Sequence, residues 1–273
     1  MQTVDLLELN KTLRILAYGK PGSGKTTFLG SACDDDRTWP VLHVDVSGNP
    51  ESLVKRPSTS KDAKMPTVLR LQKLSELNAI YDFFATGQPS NHVLCTKLGI
   101  KPSFKTLVFD GITAIQRKSF ALVLAQENLK PGDIPAKAEW PVYRSVLSQM
   151  LNIATAFFQE LRGIHVLVSC LEHTDMRTEP TSGRQYEYAE PGLQGQAVTE
   201  LPGEALCVMR FATKHSLAPE IGKRLTAKYT VAQLNETRYV YAKDQHHFQT
   251  ISVGEANYIA DPTVSILLDQ LGG

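Results

Sequence analysis

The segment Gly19-Lys20-Pro21-Gly22-Ser23-Gly24-Lys25-Thr26 constrains this chain more than any other stretch. It reads GKPGSGKT, a full match to the phosphate-binding loop G-x-x-x-x-G-K-[ST]. Glycines let the backbone turn tightly and aim successive N–H groups at an anion. Lys25 supplies a point charge for the β- and γ-phosphates, and Thr26 a hydroxyl ligand for Mg²⁺. Context supports the match. Leu13–Tyr18 before it reads as a buried strand, and Thr27–Cys33 after it can form the first turns of a helix. The expected nucleotide contacts are Gly19, Lys20, Pro21, Gly22, Ser23, Gly24, Lys25, Thr26 and Thr27.

The rest of the chain alternates apolar strands with helical patterns, which predicts a parallel α/β sheet. Strands are expected over Leu13–Tyr18, Val41–Val46, Thr67–Leu71, Thr106–Asp110 and His165–Leu171. Helices are expected over Lys25–Cys33, Leu74–Ala85, Ile112–Asn128 and Val142–Leu161. Gly87–Phe104 and Thr174–Pro191 read as long loops. After about Glu204, β-like runs at Ala205–Phe211, Leu225–Val231 and Arg238–Ala242 predict a mixed or antiparallel extension of the sheet. A short terminal helix is expected with Asp261 as N-cap and Pro262 at its first position.

With 273 residues, the chain is read as one domain over 1–273. Its core spans about 12–245, and its C-terminal β extension and helix about 205–273. The formal net charge of +1 gives no overall argument for nucleic acid, so any such binding rests on local patches. The four cysteines (Cys33, Cys95, Cys170, Cys207) have no zinc spacing and fit a reducing cytosol, with Cys170 a buried free thiol. No membrane span or signal peptide is evident, and a cytoplasmic location is expected (host cytoplasm if phage-encoded).

Thr106–Asp110 is an apolar strand ending in an acid, so Asp110 is the candidate Mg²⁺ carboxylate beside Thr26. Asp45 closes another such strand, where it orients the attacking water or caps the strand end. Gly111, not glutamate, follows Asp110, so the Asp-Glu pair typical of AAA-type motors is missing. Glu51 is a further candidate base. His173 or Glu172, at the tip of His165–Leu171, senses the γ-phosphate or is a solvated strand end.

In sequence order, GKPGSGKTT, TLVFDGITAI, a long helix, HVLVSCLEH and Pro191-Gly192-Leu193-Gln194-Gly195 resemble a RecA-type core. More narrowly, they resemble the short phage-encoded ATP-binding proteins with a stand-alone RecA core, a group that includes single-strand annealing recombinases. The resemblance covers about Leu13 to Gln245. It implies a RecA-like P-loop ATPase of α/β class. The central sheet is then mostly parallel and flanked by helices, with a C-terminal antiparallel extension. It also implies ATP and Mg²⁺ as cofactors, single-stranded DNA as partner, and a homo-oligomeric ring or filament with ATP at subunit interfaces. A single-strand-binding or replication protein is a further possible partner.

In such proteins a neighbour's basic residue often completes the site, and Lys243 is the candidate. Gln245 stands where a second basic residue is common, and Ser47 where RecA has an acid. Both departures imply slow turnover or a base elsewhere. For DNA, two regions are candidates: the Thr174–Pro191 segment, with Arg177, Arg184, Tyr186 and Tyr188, and a basic set of Arg210, Lys214, Lys223, Arg224 and Lys228. The segment also carries Asp175, Glu179, Glu187 and Glu190 and reads equally as a solvated hairpin. Rival functions are a helicase-loader or replication-accessory ATPase, and a nucleotide-gated binding module with negligible turnover.

Overall fold

The structure is a computed structural model. It describes residues 12–48, 50–53, 63–129, 139–178, 183, 185–217, 226–234, 251–253, 256–260 and 262–270. One sheet organises the chain, with strand order β3-β2-β4-β5-β1-β7-β8-β10-β9. Its first six members are β3 (Thr67–Arg70), β2 (Val41–Asp45), β4 (Thr106–Asp110), β5 (His165–Thr178), β1 (Arg14–Gly19) and β7 (Cys207–Leu217). These six pair in parallel. The strands β8 (Thr226–Leu234), β10 (Ala256–Ala260) and β9 (Ile251–Val253) continue antiparallel. The expected class therefore holds: α/β, mostly parallel, with an antiparallel C-terminal extension. The Ala205–Phe211 run belongs to both parts. As β7 it lies parallel to β1 through Phe211 and antiparallel to β8 from Met209 onward.

Parallel strands buried on both faces read as near-continuous apolar runs, and β1 and β4 do so. Successive residues serve opposite layers. Leu16, Val44, Phe109 and Val168 join the larger core. That layer is covered by α2 (Glu76–Ala85), α4 (Ile112–Gln126) and α5 (Glu139–Ala154). Helix α2 shows the periodicity that does this: Leu77, Ile80, Phe83 and Phe84 are all buried. On the other face, Ile15, Ala17, Val108, Leu167 and Met209 pack against α1 (Lys25–Gly30) and α7 (Val264–Gln270). Fully burying one such Leu or Phe contributes roughly 1.5–3 kcal/mol.

Several boundaries differ from expectation for local reasons. Helix α1 tightens into a 3-10 turn at Ser31–Cys33. Helix α5 runs into a π-helical turn, Thr155–Glu160, which buries the consecutive Phe157 and Phe158. Arg14 closes that end, donating to the carbonyls of Phe158, Leu161 and Ile164. The Gly87–Phe104 segment is not all loop: it holds α3 (Val93–Leu98), whose Leu94 N–H is accepted by His92 Nδ1. Of the two readings of the Thr174–Pro191 segment, loop and hairpin, the hairpin holds: β5 continues to Thr178 and pairs antiparallel with β6 (Gln185–Pro191). Helix α6 (Ala197–Glu204) follows it. Helix α7 begins at Val264, so Pro262 is not its first residue; the Thr263 hydroxyl accepts from Ile266 N–H at the cap position. Asp261 and the Arg238–Ala242 run lie outside the described residues.

No helix among the described residues is long and apolar enough to cross a membrane.

Candidate active site

Ligands in open parallel sheets bind beyond the carboxyl ends of the strands, where strand order reverses. Here that edge is formed by β2, β4, β5 and β1, and Gly19, Asp45 and Asp110 stand on it. Gly19 ends β1. A Cβ on it would lie 2.4 Å from the Phe211 carbonyl oxygen, so only glycine fits against β7. Gly22 and Gly24 have φ of 75° and 96°, a left-handed conformation that glycine adopts without penalty. Gly24 is the N-cap of α1, and its carbonyl accepts from Phe28 N–H at 2.9 Å.

Lys25 folds back across the loop. Its Nζ donates to the carbonyls of Gly19 (2.8 Å) and Lys20 (2.9 Å), and the side chain is held among buried groups. Burial pushes the ammonium pKa below its ordinary value, while the carboxylates of Asp110 and Glu172 pull against that shift.

Asp110 is the centre of the polar cluster. Thr26 Oγ1 donates to its Oδ2 at 2.8 Å, and Ser169 Oγ donates to its Oδ1 at 2.6 Å. His43 Nε2 lies 3.5 Å from Oδ2. Burial pushes the Asp110 carboxyl up, and the contacts to His43, Ser169 and Thr26 outweigh it, so the group is held below the ordinary carboxylate range. Register explains the assembly. Asp45, Asp110 and Ser169 stand opposite one another on β2, β4 and β5. The donor set fits a hard divalent cation: Thr26 gives its proton to Asp110 and keeps oxygen lone pairs, and Asp110 is ionised. Among the described residues no cluster of three or more His, Cys, Asp or Glu side chains could hold a metal by itself. Mg²⁺ takes one or two protein oxygens and completes its shell with phosphate and water, and Thr26 and Asp110 offer two such oxygens side by side.

Asp45 is buried at the same edge, but its oxygens are engaged: Oδ1 accepts from Gly48 N–H at 2.7 Å, and Oδ2 faces Arg70 Nε at 3.4 Å. Glu51 is exposed on a 3-10 turn, Pro50–Leu53. Gly111 has φ 108°, and a Cβ there would sit 3.3 Å from Ser47 Cβ. The backbone at this position therefore disfavours the glutamate that AAA-type motors carry.

Glu172 and His173 lie within β5 rather than at a strand tip, because the strand continues to Thr178, and Glu172 rather than His173 turns toward the loop. The Glu172 side chain is 2% exposed; Arg210 Nε donates to it at 3.0 Å, and Lys20 Nζ lies at 3.9 Å. His173 is exposed beside it, opposite Glu190 of the hairpin. Cys170 is buried with its thiol pushed up to about 11 by desolvation, an inert thiol as expected. Arg210 is thus committed to Glu172 and leaves the expected basic set. Lys223, Arg224, Arg184 and Lys243 lie outside the described residues. The strands bearing Lys214, Lys228, Arg177, Tyr186 and Tyr188 are described, though not these side chains. Sequence reasoning missed Ser169 and His43 as parts of the site. Their one signal was a polar residue inside an otherwise apolar strand, in HVLVSC and in VLHVD.

A protein-family model described as an AAA domain matches residues 11–246. The chain belongs to the AAA domain family. This AAA domain has no match among curated proteins. Among solved structures it is similar to the RadB recombinase, at 18% identity over 82% of this chain and 80% of that one, with a TM-score of 0.40. It is also similar to the flagellar accessory protein FlaH from Methanocaldococcus jannaschii, at 9% identity over 87% and 88% of the two chains and a TM-score of 0.38. A further likeness is to the assembled ATPase EscN of the enteropathogenic E. coli type III secretion system. The identity there is 14%, over 75% of this chain and 44% of that one, with a TM-score of 0.40.

Proposed function

We propose that this chain binds and hydrolyses ATP with Mg²⁺ and acts on single-stranded DNA in phage-type recombination or annealing. The observation that carries the nucleotide half is the Thr26–Asp110 hydrogen bond beside a phosphate loop already folded around Lys25. In this reading Gly19 to Thr27 cradle the phosphates, and Thr26 and Asp110 hold Mg²⁺. A divalent cation held there would supply positive charge against the charge developing on the phosphoryl group. Lys25 contributes a second positive charge from the loop, and Glu172 or His173 reads the γ-phosphate. Asp45 keeps two roles, orienting the attacking water or capping the strand end through Gly48 N–H, and Lys243 of a neighbouring subunit completes the site in a ring or filament. The DNA half draws on the family resemblance and on the basic residues Lys223 and Arg224.

The test is the ATPase rate with and without single-stranded DNA, alongside the protein's mass in solution. DNA-stimulated turnover by an oligomer is the expected result. Phosphate release that ignores DNA but responds to a replicative helicase would favour a loader instead.

A second reading, a nucleotide-gated binding module with negligible turnover, has its own support. Gly111 excludes an acid beside Asp110, and Asp45 is tied to Gly48 and Arg70. Tight ATP binding with no measurable phosphate release would favour it.

A further inference from the structure

His43 is fully buried on β2, and neither ring nitrogen has a hydrogen-bond partner among the described residues. Its register neighbours, Val68 on β3 and Val108 on β4, have side chains with no acceptor. A buried donor left unpaired is destabilising, so a polar ring in this position calls for an explanation. One charged acceptor is near: Asp110 Oδ2, 3.5 Å from Nε2, slightly beyond a formed hydrogen bond.

We infer that His43 is a positioning residue for Asp110, its ring donating from Nε2–H to Oδ2. An ionised carboxylate offers about four lone-pair positions. Thr26 uses one on Oδ2, and Ser169 uses one on Oδ1. His43 takes the second position on Oδ2. One position on Oδ1 remains, and that is the one available to a cation or its water. His43 thereby fixes which way the carboxylate faces without touching nucleotide or metal. The inference rests on the proposed metal role of Asp110. Partners that orient a ligating group typically govern 10- to 100-fold in metal affinity.

The experiment compares the parent with His43→Leu and His43→Gln. Calorimetric ATP titrations in Mg²⁺ and in EDTA give the factor by which the metal tightens binding, and thermal unfolding gives stability. His43→Leu removes one donor from Asp110, which Thr26 and Ser169 still hold, and should cut the Mg²⁺-dependent tightening about tenfold. His43→Gln, which keeps a donor, should restore it to within about threefold of the parent. A folded His43→Leu protein with the parent's full Mg²⁺ dependence overturns the inference. If His43→Leu does not fold, ¹⁵N NMR of the parent decides. A ring carrying Nε2–H, whose signal moves in Asp110→Asn, supports the inference; a ring without Nε2–H, or one indifferent to Asp110→Asn, overturns it. A parent with no Mg²⁺-dependent tightening refutes the metal role of Asp110 itself, and the NMR result still decides whether His43 donates to it.

Discussion

Thr26 Oγ1 donates to Asp110 Oδ2 across 2.8 Å, joining residues 84 positions apart in the chain. This bond ties the phosphate loop to the end of β4 and gives the two candidate metal ligands a fixed separation. Asp110→Asn keeps the shape and removes the charge. Hydrolysis should fall at least tenfold, while ATP affinity in EDTA stays within a few-fold of the parent. Phosphate-release kinetics check this. A rate within about threefold of the parent, well under the free energy of one pKa unit, would show that Asp110 is not the metal carboxylate.

His165 gives the fold a pH dependence of its own. It is buried at the start of β5, its Nδ1 accepts from Leu13 N–H at 3.0 Å, and desolvation lowers its pKa to about 4. Protonation would set a second hydrogen against the Leu13 donor. The unfolded chain takes up this proton near pH 6.5 and the folded chain only near 4. The contribution to stability is therefore complete above about pH 6.5 and is lost as pH falls toward 4. Its full size is on the order of 3 kcal/mol. Urea unfolding of parent and His165→Gln across pH 4 to 7 should show the difference between the two proteins shrinking as pH falls. A constant difference would count against this role.

The Glu172–Arg210 pair should respond unequally to its two deletions. Glu172 is the buried partner and Arg210 the half-exposed one. Arg210→Leu leaves a buried carboxylate with Lys20 at 3.9 Å and the Lys25 ammonium within electrostatic reach, and should cost about 1–3 kcal/mol after allowing for solvent at the arginine. Glu172→Gln removes the charge that needed compensation and should cost less. Denaturant midpoints of the two variants and of the double variant measure the difference. Equal losses would mean the pair is not the buried charge contact described.

What was legible in the sequence was local. The loop, its flanking strand and helix, and the strand ending at Asp110 all follow from spacing within about twenty residues, where periodicity and glycine placement act directly. What was not legible depends on register between distant strands. Ser169 reaches Asp110 because β5 lies beside β4 in one register, and His43 does so from β2. A one-residue slip would turn either side chain to the other face. The hairpin β5–β6 could not be told from a loop because its polar residues carry no apolar alternation. Helix α3 is six residues long, too short for a periodic signal between Pro89 and Pro102. Arg210 looked like a surface cation because its partner, Glu172, lies 38 positions away.

The central claim is that the GKPGSGKT loop is an ATP site whose charge comes from Lys25. Lys25 Nζ stands in the loop, held by the Gly19 and Lys20 carbonyls. Replacing it removes a charge-assisted contact to phosphate and leaves those two carbonyls without it. The most direct test is calorimetric titration of ATP with Mg²⁺ into the parent and into Lys25→Ala, each shown to be folded by circular dichroism. The account predicts saturable one-site binding by the parent and a loss of at least tenfold in affinity for Lys25→Ala. No ATP binding by the folded parent, or equal affinity in the two proteins, would contradict it.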